Sequence, residues 1–156
     1  MQLVVLGSGT SVLHPHRASA GFWLQTERGS ILLDCSADAP HRMAAENLDW
    51  INLDAIWISH LHLDHCGGLA PFLSGMKYAP GIEQRTKPLR IFGCEGTKKL
   101  LQAIDGSHNY RLFDQGFAVE LQEIAPSDAS SLFEIVKGVK AEPFQRRIGA
   151  RVWQFV

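Results

Sequence analysis

His60-Leu61-His62-Leu63-Asp64-His65 places three imidazoles and a carboxylate within one short stretch. Neutral imidazole nitrogen and carboxylate oxygen are the donors that Zn²⁺ and related divalent ions take from proteins. In an extended or tightly looped chain residues 60 and 62 point to the same side, because side-chain direction repeats every second residue. Asp64 and His65 fall out of that register and can face a second, adjacent ion. The competing reading is a solvated polar loop that happens to be rich in histidine. Four potential ligands between an apolar run and the Gly67-Gly68 pair favour a metal centre, with His60, His62, Asp64 and His65 as its candidate ligands.

The flanking segments indicate how that stretch is held. Ala55 to Ser59 reads as a buried strand that delivers the histidines, so a rigid element positions the loop. Gly67-Gly68 lets the backbone pass close to its neighbours, and Leu69 to Met76 reads as a helix. Upstream, Gln2 to Leu6 is an apolar strand run ended by Gly7-Ser8-Gly9-Thr10. Phe22 and Leu24 mark a second strand and Ser30 to Asp34 a third, and Arg28-Gly29 between them makes a hairpin. Pro40 to Asn47 reads as a short helix with proline in its first turn. Downstream, Tyr78 to Pro88 reads as a loop, Leu89 to Phe92 as a strand, and Gly96 to Ile104 as a helix. Phe117 to Ile124, Leu132 to Val136 and Val139 to Phe144 read as further strands. A strand meander, then strand-helix alternation, then more strands predicts a layered α/β arrangement.

The 156 residues suggest one domain, and a hydrophobic fraction of 46% with 20% charged residues is ordinary for a globular protein. A net charge of -1 carries no overall basic signature for nucleic acid, which leaves a local patch open. No apolar run approaches a membrane span, and Leu3 to Leu6 is too short for a secretory signal. Cys35, Cys66 and Cys94 are few, odd in number and far apart, which predicts reduced thiols and a cytoplasmic location. Gly7-Ser8-Gly9 lacks the third glycine of a dinucleotide loop, since Val12 stands there.

The string Trp57-Ile58-Ser59-His60-Leu61-His62-Leu63-Asp64-His65-Cys66-Gly67-Gly68-Leu69 closely resembles the His-x-His-x-Asp-His signature of the metallo-β-lactamase superfamily. Gly7-Ser8-Gly9-Thr10 with Pro15, Arg17 and Ser19 resembles the first loop of its ribonuclease Z-like branch. Ile31 to Cys35 resembles the strand before the site, and Ile91 to Thr97 a mid-chain strand-to-helix segment. The resemblance runs from Met1 to about Phe144. It implies an αββα sandwich, of which this chain would supply the N-terminal half with a mixed sheet and flanking helices. It also implies a centre of one or two zinc ions, with Mn²⁺ or Fe as alternatives. By motif position His60 and His62 would bind the first metal, Asp64 and His65 the second, and Asp64 is the catalytic candidate. The implied activity is hydrolysis of a phosphodiester, in RNA or a small molecule. Lactones and thioesters are the alternative substrates in the superfamily.

The sequence also departs from that pattern. The family's remaining ligands lie downstream: a third histidine, a bridging aspartate and a final histidine. Here no histidine follows His108 and no aspartate follows Asp128. The expectation is an N-terminal part of the domain over residues 1–144 and an atypical tail over 145–156. One permitted set of codons for Gln145 to Val156, read from the third base, gives Thr-Pro-His-Arg-Ser-Glu-Ser-Leu-Ala-Ile-Arg. This resembles the missing histidine motif, so a frameshifted tail is expected, with a natively short chain as its rival. The incomplete ligand set leaves three expectations open: an impaired hydrolase, a non-catalytic remnant or metal-binding module, and a homo-oligomer that completes the site in trans. It also predicts that the sheet faces bearing Val4, Leu6, Ile31, Leu33, Ile56 and Ile58 are partly uncovered.

Asp34 reads equally as a group that orients a ligand histidine and as a strand-end carboxylate capping a turn. His14 and His16 read as substrate-edge or solvent residues, and His41 and His108 as surface. Cys66 reads as a packing residue rather than a nucleophile.

Overall fold

The sheet-forming runs found in the sequence assemble in chain order. The computed structural model describes residues 1–125, 132–142 and 154–155. Strands β1 (Gln2–Gly7), β2 (Gly21–Gln25), β3 (Ser30–Leu33), β4 (Ala55–Trp57), β5 (Leu89–Cys94) and β6 (Val119–Ile124) form a six-stranded sheet in the order β1-β2-β3-β4-β5-β6. The first three strands pair antiparallel and the rest parallel. Parallel neighbours need a crossover, and helices provide it. Helix α1 (Ala39–Ala45) lies between β3 and β4. Helices α2 (Leu63–Cys66) and α3 (Leu69–Met76) lie between β4 and β5, and α4 (Thr97–His108) between β5 and β6.

Strand residues alternate between two cores, as their period of two requires. On one face Trp23, Leu32, Ile56 and Ile91 pack with Met43, Leu69, Leu73, Met76 and Leu101 of the helices. On the other, Leu24, Ile31, Ala55, Trp57 and Phe92 pack against Ile135, Val136 and Ala141. The latter three belong to β7 (Phe133–Val136) and β8 (Val139–Glu142), which with β9 (Gln154–Phe155) form an antiparallel second sheet. Helices over one sheet and a second sheet beneath it give three of the layers expected of an αββα sandwich.

Several expectations are corrected here. Ile31, Ile56 and Ile58 are fully buried and Leu6 nearly so, because the helices cover one face of the sheet and β7–β8 cover the centre of the other. Val4 and Leu33 are partly buried, so for these two the expected partial uncovering holds. The large apolar side chains exposed on the sheet itself are Leu3 (56%) and Val5 (54%) of the edge strand. The second half of the histidine stretch, with Asp64 and His65, forms a further short helix, α2, that the sequence reading leaves as loop. Helix α4 runs one turn beyond Ile104, to His108, and closes on Asn109 in the left-handed region. Of the expected strand over Val139 to Phe144, Val139–Glu142 form β8 and the last two residues lie outside the described residues. The expectations about residues 145–156 fall outside the described residues apart from the short strand β9.

Candidate metal centre

Parallel pairing of β3 with β4 aligns Leu33 with Trp57, so both strands leave the sheet at the same, carboxyl, end. That end is where open α/β sheets carry their sites. Asp34 follows β3 with φ 58°, a left-handed conformation that aspartate tolerates better than most residues. Ile58 donates its N–H to Phe92 O (2.8 Å), and the chain then turns out through Ser59 to His62. His62 is extended (φ -67°, ψ 141°) and caps α2, after which Asp64 and His65 lie on a helical turn. This change from extended to helical backbone is the register break anticipated between residues 60/62 and 64/65.

The four candidates come together. The ring centroids of His60 and His62 are 4.6 Å apart, and those of His60 and His65 4.0 Å. His65 Nε2 lies 3.6 Å from Asp64 Oδ2. Asp64 Oδ1 is buried and has no hydrogen-bond partner, an arrangement that costs free energy unless something electropositive meets it. Asp34 is the hub behind them. Its Oδ1 accepts the Ser59 N–H (2.7 Å), and its Oδ2 accepts the Ser59 hydroxyl (2.9 Å) and His65 Nδ1–H (2.6 Å). Of the two readings of Asp34, the structure supports the one in which it orients a histidine.

The electrostatics follow from this packing. Burial, then the neighbouring His65, pushes the His60 imidazole below its ordinary value, which favours its neutral form. The Asp34 hydrogen bond raises His65 against the opposing effect of burial. Burial would raise the Asp64 carboxyl, but the Ser11 hydroxyl and a backbone hydrogen bond hold it below the usual range. Ser11 belongs to the first loop, which therefore borders the cluster as expected. His14 and His16 of that loop are exposed and face each other, with ring centroids 6.2 Å apart. His41 and His108 are exposed. Cys66 is buried and its thiol is pushed up to about 11, chiefly by burial, so it packs rather than reacts.

The donor chemistry and the orphaned Asp64 oxygen fit a divalent ion. The set is nevertheless sparse: among the described residues no group of three or more His, Cys, Asp or Glu side chains is arranged to hold one. Two partners of the cluster escape a sequence reading. Ser59 carries no motif of its own beyond standing before His60, and Ser11 is one hydroxyl among several in its loop.

Sheet order, layers and the position of this cluster define a metallo-β-lactamase fold. The short form of human tRNase Z superposes with a TM-score of 0.75 at 22% identity, over 99% of this chain and 63% of that one. The metallo-β-lactamase fold protein YhfI from Bacillus subtilis gives 0.70 at 18% identity, over 98% and 56%. The chain belongs to the family described as anti-Pycsar protein Apyc1, whose model matches residues 1–109. It is also similar to ribonuclease Z of Exiguobacterium sp., with 34% identity over 111 residues, 69% of this chain and 36% of the relative. Ribonuclease Z of Salinibacter ruber is 29% identical over 112 residues, 72% and 34%. The chain thus spans about a third of the length of these curated relatives.

Proposed function

We propose that this chain carries the first half of the active centre of a metal-dependent phosphodiesterase of the ribonuclease Z kind, acting on RNA or a small phosphodiester in the cytoplasm. The observation that carries the reading is the proximity of the His60, His62 and His65 rings, with Asp64 beside His65 and its buried Oδ1 without a hydrogen-bond partner, and with Asp34 orienting His65 from behind. His60 and His62 would hold one zinc ion and Asp64 and His65 a second, with Mn²⁺ or Fe as alternatives. When bound, such ions lower the pKa of a shared water and stabilise charge on the reacting oxygens. The chain's own contribution is to keep both sets of donors at the carboxyl end of β4, to present His60 in its neutral form, and to supply Asp64 as the carboxylate ligand nearest the first loop.

A second reading rests on the donor count. A catalytic zinc normally has three protein ligands plus water, whereas the four candidates divided between two ions give two each. In this reading the chain by itself is a metal-binding module with little or no turnover, unless further donors come from a second copy. Metal analysis of the purified chain, with hydrolysis of bis(p-nitrophenyl) phosphate assayed beside it, separates the two. Metal uptake lost in His60→Ala/His62→Ala supports the centre, and turnover by the loaded chain supports the enzyme. Absence of any bound metal would overturn both.

A further inference from the structure

We infer that Ser59 is a positioning residue that fixes which nitrogen of His60 carries the proton, and that through it the Asp34 carboxylate sets both His60 and His65. The inference rests on reading His60 and His65 as metal ligands, but its first test does not.

Ser59 Oγ lies 2.9 Å from Asp34 Oδ2 and 3.0 Å from His60 Nδ1. A hydroxyl has one proton to donate, and a carboxylate can only accept. If the proton went to His60, a lone pair of Ser59 Oγ would face Asp34 Oδ2 at hydrogen-bond distance with nothing between them. Asp34 Oδ2 also accepts from His65 Nδ1–H at 2.6 Å, and Oδ1 from the Ser59 N–H, so the carboxylate is the acceptor throughout. The Ser59 proton therefore points at Asp34, and the remaining contact requires His60 Nδ1–H to donate to Ser59 Oγ. His60 is then the Nδ1–H tautomer, and its Nε2 lone pair is free to bind a cation. His65 donates from Nδ1 to the same carboxylate, so in its neutral form the lone pair is on Nε2, which lies 3.6 Å from Asp64 Oδ2. One carboxylate, directly and through one hydroxyl, thus prepares an imidazole of each proposed ion.

The test uses the full 156-residue chain. Its first measurement is the tautomer of His60 in the metal-free protein, from imidazole ¹⁵N shifts at a mildly alkaline pH. The expected result is Nδ1–H in the unaltered chain, loss of that preference in Ser59→Ala, and recovery in Ser59→Thr. The second is Co²⁺ or Zn²⁺ affinity, expected to fall about 10–100-fold in Ser59→Ala, as for other groups that orient a metal-binding histidine, and to recover in Ser59→Thr. His60 as Nε2–H in the unaltered chain overturns the inference, a result that needs no variant to fold. So does a tautomer indifferent to Ser59→Ala or, in a chain that binds metal, an affinity indifferent to it. The Nδ1–H form in a chain that takes up no metal would support the role of Ser59 and overturn the metal-centre reading instead.

Discussion

Asp34 Oδ2 and His65 Nδ1 stand 2.6 Å apart although 31 residues separate them in the chain. The contact exists because β3 and β4 run parallel and leave the sheet side by side. Asp34→Asn keeps the shape but replaces a charged acceptor by an amide. It is expected to weaken zinc binding about 10–100-fold. Competition against a chromophoric chelator measures this, and unchanged affinity would remove Asp34 from the centre.

The metal stoichiometry is expected to fall short of two ions per chain, with uptake lost in His60→Ala/His62→Ala. Turnover of a phosphodiester by this chain is expected to be slight, since loosely held ions leave the reacting groups ill-placed and an error of about 1 Å can cost about 100-fold in rate. Elemental analysis and a single-turnover assay check both points. Strong metal-dependent turnover abolished by Asp64→Ala would show that the missing donors come from elsewhere.

The pH dependence of the metal-free chain has a defined sign. The Asp34 hydrogen bond raises His65 above its ordinary 6.5. Its stabilisation is therefore complete below that value and is lost as pH rises through the raised one. Burial lowers His60, so its contribution runs the other way, and stability is lost as pH falls below 6.5. Comparing the unaltered chain with His65→Gln isolates the first effect. The melting difference should be larger at about pH 5.5 than at about pH 8.5, and the reverse order would contradict the assignment.

Gly68 is required by close approach. A Cβ there would sit 2.1 Å from Ser36 O, where the loop after β3 meets the start of α3. Gly68→Ala is expected to destabilise by about 1–3 kcal/mol, the usual cost of overpacking. A urea midpoint indistinguishable from the unaltered chain would show that the loop yields freely.

Cys66 should be inert in the folded chain, since burial pushes its thiol up to about 11 and Cys35 is pushed up in the same direction. A disulfide reagent at neutral pH is expected to label the thiols slowly in buffer and rapidly in denaturant. Fast modification of native Cys66 would reopen its reading as a nucleophile.

The sequence by itself determined the local features. The four candidate ligands were legible because they share six residues, and the strands because apolar runs end in turn residues. The Gly67-Gly68 corner was legible because close backbone approach demands glycine. Tertiary structure decided whatever joins residues distant in the chain. Asp34 was ambiguous until the register of β3 on β4 placed it against His65, and Ser59 was unremarked until that register set Asp34 beside it. The burial of Ile31 likewise depended on β7 and β8, more than a hundred residues downstream, folding over that face. Side-chain type and spacing specify which groups can do chemistry. Which of them meet is set by strand pairing, a long-range property that local pattern leaves open.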